Sequence, residues 1–157
     1  MKKSIKPLGL TLTLIMILIT GAYAHCEIPC GIYGDNTRVE LMREHVATVE
    51  KSMDMIEKLS AEKDINYNQL VRWVNNKEEH ANKIQDIATQ YFMFQRIKPK
   101  DSSDKKAYKK YLNELELMHR ITVYAMKCKQ GTDKTNTGKI LSLLHEFEHS
   151  YFEDHKH

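Results

Sequence analysis

Thr37-Arg38-Val39-Glu40-Leu41-Met42-Arg43-Glu44-His45-Val46-Ala47-Thr48-Val49-Glu50-Lys51-Ser52-Met53-Asp54-Met55-Ile56-Glu57-Lys58-Leu59 is the stretch whose pattern decides the fold. Its apolar residues fall at Val39, Met42, Val46, Val49, Met53 and Ile56, in alternating steps of three and four. That spacing lines one face of a helix packed in a bundle. Thr37 with Glu40 three residues later is a capping box, so a helix is predicted from there to about Leu59. Gly34-Asp35-Asn36 ahead of it reads as a turn, and the polar run from Ser60 to Asn66 as a connection.

Toward the C-terminus the same logic repeats. A second helical pattern places Leu70, Val74, Ala81, Ile84, Ala88 and Tyr91 on one face and Lys77, Glu78 and Glu79 on the other. It is predicted to end before Pro99, which cannot continue the hydrogen-bond ladder. Lys98 to Asp104 reads as a loop. Ser103 or Asp104 then caps a third helix, with Tyr108, Tyr111, Leu112, Leu115, Met118, Thr122, Ala125 and Met126 facing in. The stretch from Gln130 to Gly138 breaks it, and a fourth helix carries Ile140, Leu144, Phe147 and Tyr151. Strand-like alternation, internal repeats and low-complexity tracts are absent from the sequence. The predicted fold is all-α, an antiparallel up-down four-helix bundle. The eight Met and eight Tyr residues read mostly as core or interface filling, and Cys128 as a small buried or half-buried hydrophobe.

Toward the N-terminus the character changes. Met1-Lys2-Lys3 and Lys6 precede an apolar run from Leu8 to Ile19, closed by the small residues of Gly21-Ala22-Tyr23-Ala24. This is the layout of a secretory signal peptide cleaved after Ala24; the apolar run is short for an uncleaved membrane anchor. The chain is therefore predicted to be exported to the periplasm or the medium, with residues 1–24 as leader and 25–157 as one domain. The leader holds three of the 24 basic residues and none of the 21 acidic ones, so the processed chain carries no net charge. That argues against nucleic acid or an anionic membrane surface as the main partner.

Cleavage would make His25 the first residue of His25-Cys26-Glu27-Ile28-Pro29-Cys30-Gly31-Ile32-Tyr33. A free α-amine, with a pKa of about 8, gives up its proton to a metal at small cost. Amine, backbone nitrogen, two thiols and an imidazole then lie within six residues. Two thiolates and two nitrogens form a nearly flat, strong-field set, which points to nickel(II) or copper(II). Thiols reduce copper(II) readily, which favours nickel. Pro29 fixes its φ and biases Ile28 away from helix, while Gly31 permits a sharp backbone course, so the segment is predisposed to a hook. The His25 ring can reach an axial position. The competing reading of Cys26 and Cys30 is a disulfide, since exported thiols meet oxidising conditions.

His25-Cys26-x-x-Pro29-Cys30-Gly31-x-Tyr33 at a processed N-terminus resembles the hook of nickel-containing superoxide dismutases. Arg38-Val39-Glu40, the run from Leu70 to His80 and Gln90-Tyr91-Phe92 are similar to that family too, so the resemblance covers the whole processed chain. It implies an enzyme that converts superoxide to dioxygen and hydrogen peroxide, with nickel held by His25, Cys26 and Cys30. Aqueous nickel is too hard to oxidise for this reaction; thiolate donation and an axial imidazole bring the Ni(III)/Ni(II) couple into range. The resemblance further implies that Tyr33 flanks the open face of the metal and admits only small anions. Glu40 would orient the axial imidazole, as carboxylates commonly do for metal-bound histidine. Where some members carry an arginine as a further partner of that imidazole, this chain has His80, with Arg72 as the other candidate. Glu27, Pro29 and Gly31 would shape the loop. Assembly as a homohexamer, each hook packed against neighbouring subunits, is also implied.

One other motif competes. His145-Glu146-Phe147-Glu148-His149 matches the H-E-x-x-H pattern of zinc proteases. Both histidines sit about 200° from Phe147 on a helix, so an inward Phe147 turns both toward solvent, and a third ligand at the expected spacing is missing. His155 and His157 read as solvated ends. Two other functions fit the hook: an exported nickel or copper binder without turnover, and a helical adaptor held by a Cys26–Cys30 disulfide.

Overall fold

The computed structural model of the protein describes residues 34–152. They form α1 (Asp35–Ser60), α2 (Tyr67–Asp86), α3 (Lys105–Gln130) and α4 (Thr135–Phe152). A π-helical segment, Ile87–Arg96, continues α2 without a break. Among the described residues there is no strand. Helix α1 packs on α2, α2 on α3, α3 on α4 and α4 on α1. Short connections reverse the chain each time, giving the predicted antiparallel four-helix bundle. The predicted leader, the residues from His25 to Tyr33 and the tail bearing His155 and His157 lie outside the described residues.

The predicted stripe of α1 is the centre of the core. Val39, Met42, Val46, Val49 and Met53 are all fully buried, and Ile56 is half-buried. Facing them are Ala81, Ile84, Ala88 and Phe92, then Met118, Ile121, Ala125 and Cys128 of α3, then Ile140, Leu144 and Phe147 of α4, none exposed to solvent. Each large apolar side chain removed from water in this way contributes about 1.5–3 kcal/mol. Among the described residues, no helix is long and apolar enough to cross a membrane.

Four local expectations need correcting. Helix α1 starts at Asp35, two residues before Thr37, with Gly34 as N-cap and no side-chain capping bond. The Thr37 amide donates to the Gly34 carbonyl at 3.1 Å, so the capping box does not form and Asp35 belongs to the helix. Lys77 is buried, against the expectation of a solvated face. Its ammonium donates to the carbonyls of Lys129 at 2.7 Å and Gly131 at 3.1 Å, filling acceptors that the end of α3 leaves open. Leu70 is correspondingly only half-buried and Val74 exposed.

In α3, Leu112 and Met126 are exposed. The inward stripe is instead Leu117, Met118, Ile121, Ala125 and Cys128, because contacts with α2 and α4 set the phase of the helix. The break before α4 is also shorter than expected. Asp133 accepts from the Thr135 amide at 2.9 Å and starts α4 there. The predicted cap of α3 does form, with Asp104 accepting from the Ala107 amide at 3.0 Å, and the second helical run stops at Arg96, ahead of Pro99.

Candidate metal centre

Glu40, Arg72 and His80 are the predicted site residues that fall within the described chain. Glu40 lies on α1 with its side chain 55 % exposed and Arg43 Nε 3.9 Å away. Arg72 is exposed on α2. Among the described residues, no hydrogen bond or ion pair joins Glu40, Arg72 and His80 to one another. His80 has a different partner: its Nδ1 lies 3.1 Å from Nδ1 of His45. The two rings meet edge to face, with centroids 4.9 Å apart and an interplanar angle of 79°.

Helix phase explains the pair. His45 precedes the buried Val46 and His80 precedes the buried Ala81, so each sits at the margin of its helix's inward stripe, where α1 and α2 abut. Both are half-buried. Burial lowers the pKa of His45, with the nearby His80 and Lys83 adding to the shift and Glu44 and Glu79 opposing it. Burial likewise lowers that of His80, reinforced by Lys83 and opposed by Glu79. Neutral imidazole has one N–H and one bare nitrogen, so one Nδ1 donates to the other. The ring that accepts at Nδ1 carries its proton on Nε2. His45 thus fixes which hydrogen-bonding role the far nitrogen of His80 can take. Sequence reasoning missed His45; its position three residues after Met42 and one before Val46 was the available signal.

A second polar group surrounds Asp35, also missed because the residue was assigned to a turn. Its Oδ1 accepts from Tyr91 Oη at 2.5 Å, and its Oδ2 from Tyr151 Oη at 2.7 Å and from Arg96 Nη2 at 2.7 Å and Nε at 3.1 Å. Burial works to raise the pKa of the carboxyl, but these bonds together hold it below the ordinary carboxylate value. Burial and the bond to Asp35 push the Tyr91 hydroxyl up to about 12 and raise that of Tyr151 as well. Both phenols therefore remain protonated donors.

His145 and His149 are exposed while Phe147 is fully buried, as the helix phase predicted, and Glu148 is engaged by Arg43 of α1. Burial pushes the Cys128 thiol up to about 11, which suits a core residue and not a metal ligand. Among the described residues, no group of three or more His, Cys, Asp or Glu side chains could hold a metal ion.

Comparison with known proteins places this geometry in context. The sequence model of the nickel-containing superoxide dismutase family matches residues 20–156, a span that encloses the His25–Tyr33 segment and the whole bundle. Neither the curated proteins nor the solved structures gave a match.

Proposed function

The chain belongs to the nickel-containing superoxide dismutase family, and from that premise we propose that its nickel is held at residues 25–30 once a leader has been removed after Ala24. The protein is a nickel-dependent oxidoreductase acting on superoxide. The observation that carries the site assignment is the motif His25-Cys26-x-x-Pro29-Cys30-Gly31-x-Tyr33, lying inside the matched span. The donor set fits the metal. Two thiolates, an amine and a backbone nitrogen suit the tetragonal preference of nickel, and an imidazole on the same terminal residue supplies a fifth donor. Held there, nickel would supply one-electron chemistry between its divalent and trivalent states, with one superoxide oxidised to dioxygen and another, with two protons, reduced to hydrogen peroxide.

The remaining work falls to the protein. Cys26 and Cys30 set the potential by donating charge, and the α-amine of His25 becomes available as a donor through proteolysis. Glu40, its side chain 55 % exposed and only loosely paired with Arg43 at 3.9 Å, is the proposed acceptor for the imidazole N–H of His25. His80, its Nδ1 occupied by His45 at 3.1 Å, has its Nε2 left for a second contact to that ring. Tyr33 screens the open face, admitting small anions and ordering a water or peroxide. Arg72, exposed on α2, is the alternative partner for the His25 ring.

Export accounts for the leader, with signal peptidase as a transient partner and the periplasm or medium as the destination. The charge balance of the processed chain supports a small-anion substrate in place of a polyanionic partner. A homohexamer is the proposed assembly. Tyr67, Val71 and Val74, at 68 %, 55 % and 36 % exposure, line one edge of α2 at helical spacing, and such a stripe suits burial against another subunit.

Intact mass and N-terminal sequencing of the native protein, read beside nickel content and superoxide consumption, test this directly. The expected result is a chain beginning at His25, about one nickel per chain, and both cysteines of the hook reduced. A different first residue, or a mass two hydrogens low with no metal, would overturn it.

A further inference from the structure

The polar group around Asp35 is more elaborate than the start of a helix requires. Gly34 offers no side chain to cap α1, and a single side-chain acceptor ordinarily suffices there. Instead one carboxylate, only 11 % exposed, takes four hydrogen bonds from the π-helical segment and from the last turns of α4. Beneath it lies an aromatic floor. Phe92 meets Phe147 edge to face at 4.9 Å, and Phe147 stacks on Tyr151 at 5.0 Å.

The backbone is adapted to the same end. Tyr91 and Arg96 are five residues apart, which in an α-helix would separate them by about 140°. In the π-helical segment the hydrogen bonds run from residue i to i+5, as in Ile97 N–H to Phe92 O at 2.8 Å, and the wider turn brings both side chains onto one carboxylate. Such segments recur at functional sites. Asp35 lies two residues after Tyr33 and five after Cys30, a stretch of chain that spans at most about 17 Å. Whatever fixes Asp35 therefore fixes the bundle end of the short chain that leads to the proposed ligands.

We propose that Asp35, clamped by Tyr91, Arg96 and Tyr151, is a positioning residue for the nickel-binding segment. This rests on the reading of residues 25–33 as the hook. A fully bonded buried network is rigid, and metal and catalytic geometry tolerates displacements of only about 0.5 Å. The clamp thus restrains the residue from which the chain runs back toward Cys30.

The test uses the full processed chain carrying Tyr91→Phe with Tyr151→Phe, which keeps both rings and removes two donors, beside Asp35→Asn. Helical content, nickel affinity by competition with a chelator, and the electron paramagnetic resonance signal of the oxidised metal are measured together. The expected outcome is unchanged helical content, at least tenfold weaker nickel binding and a broadened or shifted signal. Nickel affinity and signal equal to those of the unsubstituted chain, with only the melting temperature lowered, would make the cluster a brace for the bundle and overturn the proposal. Should Asp35→Asn fail to fold, the paired phenylalanine variant decides alone. An unsubstituted chain that binds no nickel through Cys26 and Cys30 would instead refute the hook, so the two failures are distinguishable.

Discussion

His45 and His80, 35 residues apart in the chain, share a proton across 3.1 Å between their Nδ1 atoms. Burial is the main reason that both hold their pKa values below the ordinary histidine value. Unfolded, each would take up a proton near pH 6.5; folded, each does so only at lower pH. Their contribution to stability is therefore complete above about pH 6.5 and is lost as pH falls through the lowered folded values. Thermal unfolding followed by circular dichroism from pH 7.5 to 5 should show a falling midpoint. His45→Gln should flatten that slope, and an equal slope in the variant would dissociate the pair from it.

Lys77 makes a second prediction. Its ammonium occupies the carbonyls of Lys129 and Gly131, where a cation also complements the helix dipole. Lys77→Met keeps most of the apolar stem but leaves both acceptors without it, so a loss of about 1–3 kcal/mol is expected in urea unfolding. Unchanged stability would show that water replaces the ammonium there at no cost.

The extent to which this fold was readable from sequence divides along local and non-local lines. The inward stripe of α1 follows from spacing alone, because Val39 through Met53 repeat without interruption. In α3 the apolar residues Leu112, Leu115, Leu117 and Met126 admit more than one phase, and only the neighbouring helices select the face that includes Leu117 and Cys128. Lys77 was misplaced because its partners are carbonyls of another helix, which no residue type announces. The widened turn at Ile87–Arg96 is likewise silent, since it is a change of backbone bonding among ordinary helix formers. The proposed ligands His25, Cys26 and Cys30 fall within six positions of one another, so their motif is visible in the sequence itself, whereas His45 and Asp35 act through partners dozens of residues away.

Cysteine reactivity should separate the three thiols. Cys128 is fully buried and its thiol is pushed up to about 11, so little thiolate exists to react. Reduced, metal-free protein treated with iodoacetamide near pH 8 should gain two labels, on Cys26 and Cys30. A third should appear only on denaturation. Labelling of Cys128 in the native state at a rate like the others would contradict the core described above.

The α-amine of His25 is tested by register. One alanine inserted between Ala24 and His25, with cleavage leaving that alanine first, moves the amine away from the imidazole and thiols. Dismutase activity should disappear while the helical signal and the melting temperature of the apo protein stay within error of the parent. Full activity in this variant would remove the amine from the ligand set.

The π-helical segment leaves the chain exposed to a particular kind of mutation. Deleting one residue between Ile87 and Tyr91 would let the backbone relax into an ordinary α-helix, a local gain in regularity that reads as harmless. Tyr91 and Arg96, still five residues apart, would then stand about 140° apart around the helix, too far round for both to reach Asp35. Length variation, more than residue identity, is what this stretch cannot tolerate: substitutions at Thr89 or Gln90 should pass easily, and a lost codon should not.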